Sequence, residues 1–227
     1  MNIEVNLIIS ILKLTGSGPV THEVIKKDAK ISSQIIEDLL RKMQNDGLIY
    51  LQKNVVEANS FQRLKLAVNA IKLGADIENI SSFLQWQEFE NIAVLALEQN
   101  SYSVTKNLRF KHAQRKWEID IVGCKKPIAL CMDCKHWHHG IYPSALKKIV
   151  LKQVERTSAL AETLPNLTDK IECASWDCTK LIPAVMSLVT GRFKFYENVP
   201  IVPVLQLQDF LNQLPAYTNS LKHFTKA

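Results

Sequence analysis

Two aspartates and a lysine lie within an apolar, cysteine-rich stretch, IDIVGCKKPIALCMDCKHW, at residues 119–137. Such groups are rarely buried unless they are paired or bound to a metal, because removing a charge from water is costly. Strand side chains alternate between faces, so Asp133 and Lys135 share one face of their strand, as do Glu118 and Asp120 of theirs. The twelve residues between Asp120 and Asp133 suffice for a hairpin. The spacing therefore predicts a carboxylate site for a divalent cation at one end of adjacent strands.

The cysteines and histidines of the same region offer a second interpretation, a zinc-stabilised binding module. Cys131 and Cys134 precede a His-Trp-His-His run at 136–139, and two more cysteines follow, Cys173 and Cys178. Residues three apart on a strand point to opposite faces, however, so Cys131 and Cys134 hold one ion only if their segment is a loop. The pattern favours cysteine as a small apolar residue of a buried strand.

The elements that must position these residues follow one another from residue 86 onward. The pattern predicts strands at 101–110, 116–124, 127–137, 170–176 and 199–206, and helices at 87–100, 144–164 and 207–214. The segment 179–190 is apolar but interrupted by Pro183, which leaves its type open. This order predicts an α/β fold, with a mixed sheet flanked by helices on both faces.

Asp120, twelve intervening residues and then Asp133-Cys134-Lys135 resemble the core motif of the PD-(D/E)XK nuclease superfamily. That superfamily includes restriction endonucleases, Mrr-type enzymes and archaeal Holliday-junction resolvases. The helix that carries Glu90, and the Ser-Tyr-Ser-Val link at 101–104 where the family often has Gly-Tyr-X-Val, fit the same pattern. One departure is that isoleucine, instead of proline, precedes Asp120. The resemblance covers residues 86 to about 214 and implies a restriction-endonuclease-like fold.

The resemblance also implies roles for the site residues. Asp120 and Asp133 would hold Mg²⁺ or Mn²⁺, with Glu90 as a further carboxylate, and Lys135 would position the attacking water or stabilise charge on the phosphate. The implied activity is Mg²⁺-dependent DNA hydrolysis by a homodimer. Because some members of the superfamily keep the fold without cleavage, the alternative is a catalytically inactive regulator that binds DNA or a transcription or repair protein.

Basic residues predict where nucleic acid binds. The segment KNLRFKHAQRKW (106–117) leads directly to Asp120, and the helix at 144–164 carries basic residues four apart. For this helix, a solvated face is an equal alternative. The predicted contacts are Lys106, Arg109, Lys111, Arg115, Lys116, Lys148, Lys152, Gln153 and Arg156.

The N-terminal region predicts a separate small domain. Three amphipathic helices followed by an alternating segment around Lys53-Asn54 resemble a winged helix-turn-helix domain. We therefore expect this domain at 1–58, a helical connector at 59–85, and the nuclease-like domain at 86–227. Residues 1–57 hold seven basic and seven acidic residues, so contact with DNA and contact with a protein partner both stay open.

Composition sets the outer limits. The 227 residues carry a net charge of +6, and residues 86–227, with 18 basic and 13 acidic side chains, supply +5 of it. This excess favours an anionic partner such as nucleic acid. Apolar runs fall far short of a membrane span. Five cysteines without a secretory signal predict the reducing cytoplasm of an archaeal or bacterial cell.

Overall fold

The computed structural model describes residues 2–134, 143–188 and 193–226, and Lys135 lies outside these ranges. The chain divides into two compact units, the first ending at Phe89 and the second beginning at Glu90. Within the described residues, every helix is too short or too polar to cross a membrane.

The first unit is built from short helices and a small sheet. Its elements are α1 (Ile3–Leu14), β1 (Val20–Thr21), α2 (His22–Ala29), α3 (Ser33–Asn45), β2 (Tyr50–Gln52), β3 (Val55–Glu57), α4 (Ser60–Lys72) and α5 (Ile77–Ser82). The three strands form an antiparallel sheet in the order β1-β3-β2. Lys53 has a positive φ of 52° in the turn between β2 and β3, where the pattern predicts the hairpin. The predicted helices and hairpin are present, while the winged-helix assignment stays a prediction.

Helix boundaries in this unit follow from local chemistry. The α3 face at Ile36, Leu40 and Met43 is buried, which is the three-to-four-residue spacing of a helix packed on a core. Helix α4 begins at a capping box, in which the Asn59 and Gln62 side chains each accept a hydrogen bond from the other residue's backbone N–H.

The second unit is organised around a mixed sheet. Its elements are α6 (Trp86–Gln99), β4 (Ser103–His112), β5 (Arg115–Lys125), β6 (Ile128–Cys134), α7 (Pro143–Thr163), β7 (Lys180–Ser187), β8 (Phe195–Tyr196), β9 (Val199–Pro203), α8 (Leu207–Tyr217) and β10 (Phe224–Thr225). The described residues form a seven-stranded sheet in the order β4-β5-β6-β7-β9-β8, with β10 paired to β7. Strands β4, β5 and β6 are antiparallel, whereas β6, β7 and β9 are parallel.

Helices cover both faces of this sheet. A Cβ placed on Gly123 of β5 would lie 2.8 Å from a methyl group of Leu97, so α6 packs closely against this face. Val122, which directly precedes Gly123, belongs to a buried cluster that includes Leu160 of α7. Adjacent strand residues face opposite sides, which places α6 and α7 on different faces. The predicted fold class, an α/β structure with a mixed sheet flanked by helices, is confirmed.

Two predicted elements differ from the structure. The segment 170–176, predicted as a strand, contains the 3-10 turn Glu172–Ser175 instead. Buried Ile171 and Cys173 on either side of exposed Glu172 imitate the alternation of a strand over a short stretch. The segment left open because of Pro183 is strand β7. Pro183 pairs with Cys131 of β6, whereas pairing with β9 begins only at Val185. The N–H that proline lacks therefore interrupts no hydrogen bond between β7 and β9.

Candidate functional site

Asp120 and Asp133 lie side by side on the antiparallel strands β5 and β6. Ile121 pairs with Met132, and the same register places Asp120 opposite Asp133. The Cys134 N–H donates a 2.8 Å hydrogen bond to Asp120 Oδ2. Asp120 is 8% exposed and Asp133 is 1% exposed. The hairpin therefore brings together two buried carboxylates that are thirteen positions apart in the chain.

Arg156 of α7 binds one of these carboxylates directly. Its Nη1 donates to Asp133 Oδ1 at 2.5 Å, and the Arg156 side chain is only 13% exposed. The same nitrogen lies 3.5 Å from Oε1 of Gln153, one turn earlier on the helix. A charged group of α7 thus balances the carboxylate charge of β6 in an environment from which water is largely excluded.

Glu90 of α6 is the third predicted carboxylate, and it is 4% exposed. Its Oε1 is buried and has no hydrogen-bond partner among the described residues. Burial raises the pKa of Glu90, and the nearby Asp120 and Glu118 carboxylates raise it further, while Lys106 opposes them. An acid whose pKa is raised beside other carboxylates is typical of a functional site, although ion-pair networks produce the same effect.

The fourth predicted catalytic residue, Lys135, lies outside the described residues, as do His136, His138 and His139. The described part of β6 ends one residue before Lys135. Its predicted role in positioning water or stabilising charge stays a prediction.

Carboxylate oxygens are the ligands that a hard cation prefers, but these carboxylates do not form a complete metal site by themselves. Among the residues that the structure describes, no group of three His, Cys, Asp or Glu side chains is arranged to hold a metal ion. Magnesium commonly uses one or two protein carboxylates and completes its shell with water and substrate phosphate. The pair of Asp120 and Asp133 fits that mode of binding, in which substrate helps to form the site.

Four of the five cysteines are buried in the second unit, and Cys178 is exposed. Cys131 and Cys134 both lie within strand β6, where a separation of three points their side chains to opposite faces. The Cys124 and Cys173 thiols are hydrogen-bonded to each other, which lowers the pKa of Cys124 and raises that of Cys173. Whether zinc binds to these residues together with the histidines at 136–139 stays open.

The predicted nucleic-acid contacts on the β4–β5 hairpin differ in whether they already contact another side chain. Arg109 Nε donates to Glu118 Oε2 at 2.8 Å, and Lys106 Nζ donates to Asn91 Oδ1 at 3.2 Å. The Arg115 guanidinium lies 4.1 Å from the centre of the Trp117 ring. Lys111 and Lys116 are exposed, and neither forms an ion pair with a described carboxylate.

The predicted contacts on α7 separate into two groups. Lys148 and Lys152 are exposed, as a nucleic-acid contact requires. Gln153 is fully buried and its amide donates to the Cys131 carbonyl at 2.8 Å, so its position does not agree with a direct role in nucleic-acid contact. Arg156 is held by Asp133. The spacing that places Lys148, Lys152 and Arg156 on one stripe gives no sign of this ion pair.

Comparison with known proteins gives limited similarity. No family model matches the chain. A protein of Archaeoglobus fulgidus described only as uncharacterized is 28% identical over 134 residues, which is 59% of this chain and 95% of that protein.

Solved structures with similar chain traces include protein VC1899 from Vibrio cholerae (10% identity, TM-score 0.38), Can2 from Sulfobacillus thermosulfidooxidans in complex with cyclic tetra-adenylate (14%, 0.36) and the restriction endonuclease FokI (13%, 0.36). They cover 96%, 95% and 95% of this chain. The chain spans about half the length of these proteins, namely 52%, 51% and 44%. With TM-scores below 0.5, they identify no shared family or activity.

Proposed function

We propose that this protein is a Mg²⁺-dependent endonuclease that hydrolyses phosphodiester bonds of DNA. The observation that carries the proposal is the pairing of buried Asp120 and Asp133 on adjacent strands, with Glu90 close enough to Asp120 to feel its charge. Two carboxylates buried together are costly, and a divalent cation offsets that cost while serving phosphoryl chemistry.

Each side chain has a defined part in this proposal. Asp120 and Asp133 hold the cation, and the Cys134 N–H keeps the Asp120 carboxylate in place. When bound, the metal polarises the scissile phosphate and lowers the pKa of the attacking water. Glu90 offers Oε1 as a further ligand or as an acceptor for that water. Lys135 stabilises the charge that develops on the phosphate.

In this proposal the positive charge of Arg156 exchanges its partner, Asp133, for a substrate phosphate. The Arg156 guanidinium is bound to Asp133. A phosphate is an equally suitable partner for a guanidinium, so the arriving backbone competes for Arg156 and frees a carboxylate oxygen of Asp133. Cleavage of both strands of a duplex needs two such sites, and we therefore propose that the active form is a homodimer.

A second candidate function follows from the same ion pair. If Arg156 permanently neutralises Asp133, the fold binds DNA or a transcription or repair protein without cleaving it. The charge balance of the first unit suits a protein-docking role in that case. This candidate predicts that neither Mg²⁺ nor Mn²⁺ binds at the carboxylates.

The two candidates are separated by measuring cleavage of supercoiled plasmid and linear duplex DNA with Mg²⁺, with Mn²⁺ and with EDTA. The nuclease should act only with a divalent cation. Asp120→Asn and Glu90→Gln should each lower the rate about 100-fold or more, since even loss of an outer partner of a metal ligand costs 10–100-fold. DNA binding in EDTA should survive both substitutions.

Asp177→Asn is the matched control, because it removes one carboxylate charge from an exposed position. It should leave cleavage unchanged. Circular dichroism verifies that each variant is folded, and titration with Mn²⁺ measures metal binding without DNA. Wild-type activity in EDTA, or full activity of both Asp120→Asn and Glu90→Gln, would exclude the metal-dependent mechanism.

A further inference from the structure

A concave basic cavity of about 810 Å³ lies beside β5, the strand that carries Asp120, within the second unit. The β4–β5 hairpin forms one wall, and the end of α7 with the residues that follow it forms the other. The residues that define its chemistry are Arg109, Lys111, Lys116, Trp117, Asn166 and Lys170. Four of these six are cationic, and Glu118 is the acidic residue that lines the cavity with them.

The hairpin places two of the cations in direct opposition. Lys111 and Lys116 are cross-strand partners in the β4–β5 ladder. Like charges directly opposite each other are unfavourable, and neither lysine has a described carboxylate partner. In the neighbouring pair, by contrast, Arg109 is neutralised by Glu118 across the strands. The fold thus places two lysines opposite each other at the cavity, without a described carboxylate to balance them.

Trp117 also lines the cavity, and it packs against the buried cluster on the face of the hairpin opposite the lysine pair. Its indole Nε1 is buried and has no acceptor among the residues that the structure describes. An indole N–H is a donor only, so it calls for an oxygen or another acceptor. Arg115 lies over the ring at 4.1 Å and adds a further positive charge beside the lining. Lys170, which donates to the Arg109 carbonyl at 3.3 Å, brings a cation from a different part of the chain.

We propose that this cavity binds the terminal phosphate of a nucleic-acid strand. An anion with several acceptor oxygens balances the opposed lysines together with the cations of Arg109 and Lys170, which line the same cavity. A phosphate monoester carries close to two negative charges at neutral pH, because its second pKa is about 6, and it presents three acceptor oxygens. A phosphodiester within a strand carries one charge, so the cluster of cations in a concave site favours a strand end.

The cavity lies near the proposed nuclease site. The biological meaning of this inference rests on the proposed nuclease function. Glu118 lines the cavity, and Asp120 is two residues further along β5, a separation of about 7 Å. A strand whose end is held at the cavity therefore presents a nearby internucleotide linkage to Asp120 and Asp133. The preferred substrate would be DNA with a phosphorylated end, cut close to that end.

The test is a binding measurement in EDTA, where no metal-dependent cleavage occurs. Fluorescence anisotropy compares internally labelled duplexes that carry 5′-phosphates, 3′-phosphates or hydroxyl groups at both ends. One class of phosphorylated end should bind wild type at least about tenfold more tightly than hydroxyl ends, the gain expected from a charge-assisted hydrogen bond. The Lys111→Gln/Lys116→Gln variant should lose this preference.

Lys72→Gln/Lys126→Gln is the matched control, because it removes two exposed lysines that lie outside the cavity. It should keep the preference for phosphorylated ends. Equal affinity for all ends, or a preference that survives Lys111→Gln/Lys116→Gln, would overturn the inference. Loss of the preference at micromolar inorganic phosphate would also overturn it, because the cavity would then be a site for free phosphate.

Cleavage assays with Mg²⁺ keep the two proposals distinct. An end preference in EDTA without any cleavage in Mg²⁺ supports the cavity and contradicts the nuclease. Cleavage that is indifferent to end phosphorylation, together with equal binding of all ends, supports the nuclease and contradicts the cavity.

Discussion

The ion pair between Arg156 and Asp133 governs the electrostatics of the carboxylate face at the scale of single residues. Asp133 is 1% exposed and Arg156 is 13% exposed, so little water screens the two charges. Pairs of this kind contribute little net stability compared with apolar residues. Removal of one partner is nevertheless destabilising, because it leaves the other charge buried and unpaired. The exposed pair of Arg109 and Glu118, 2.8 Å apart with side chains 75% and 41% exposed, provides a natural comparison.

Arg156→Met should lower the free energy of unfolding by roughly 3 kcal/mol in the absence of divalent cations, the range seen when a buried charge loses its partner. Arg109→Met removes the same charge from an exposed pair and should cost about 0–1 kcal/mol. Urea denaturation in EDTA measures both. Similar small losses in the two variants would contradict a desolvated ion pair at Asp133.

The candidate site could be predicted in part because it depends on short-range geometry. Period-two alternation and a hairpin of suitable length suffice to place Asp120 opposite Asp133. The fate of Arg156 and Gln153 depends on how α7 lies on the sheet. Sequence spacing shows that Arg156 shares a helix stripe with Lys148 and Lys152, but it does not show which residue meets a buried carboxylate.

At the scale of elements, periodicity predicts most helices and strands, and errors occur where segments are short or irregular. The segment that enters the 3-10 turn at Glu172–Ser175 alternates like a strand only as far as Cys173, and the two-residue strands β8 and β10 are too short to leave a pattern. Strand β7 contains a proline that the register tolerates, which no local pattern reveals. These features depend on pairing between distant segments.

The contact of α6 with β5 depends on a glycine, which gives a prediction at this scale. Gly123→Ala would place a Cβ 2.8 Å from Leu97 Cδ2 and 3.2 Å from Leu97 Cδ1, and Leu97 is fully buried. Because overpacking a close-packed interface forces side chains off their preferred rotamers, we expect a loss of about 1–3 kcal/mol in the free energy of unfolding.

A second substitution tests the cause of that loss. Leu97→Val shortens the side chain that meets the new methyl group, so Gly123→Ala should cost less in the Leu97→Val background than in wild type. Urea denaturation of the four proteins gives the coupling energy. Strictly additive effects would show that the clash with Leu97 is not the source of the instability.

At the scale of the whole molecule, the charge distribution decides how the protein meets a polyanion. Residues 1–57 are balanced, whereas residues 86–227 carry an excess of five positive charges. Only some of these charges are available to a partner, because Arg156 and Arg109 are engaged by Asp133 and Glu118. Composition gives the sign and region of the charge, and the structure shows which cations are already paired.

Four predicted contacts, Lys111, Lys116, Lys148 and Lys152, are exposed without a described carboxylate partner. If all four meet phosphates, the logarithm of the DNA association constant should fall with the logarithm of salt concentration with a slope of about −3.6, because each neutralised phosphate of duplex DNA contributes about −0.9. Anisotropy titrations over a range of KCl concentrations in EDTA measure this slope. Lys148→Gln/Lys152→Gln should reduce its magnitude by about 1.8, whereas Lys72→Gln/Lys126→Gln should leave it unchanged. An equal reduction by both pairs would mean that the net charge of the protein, and not a defined surface of the second unit, attracts the DNA.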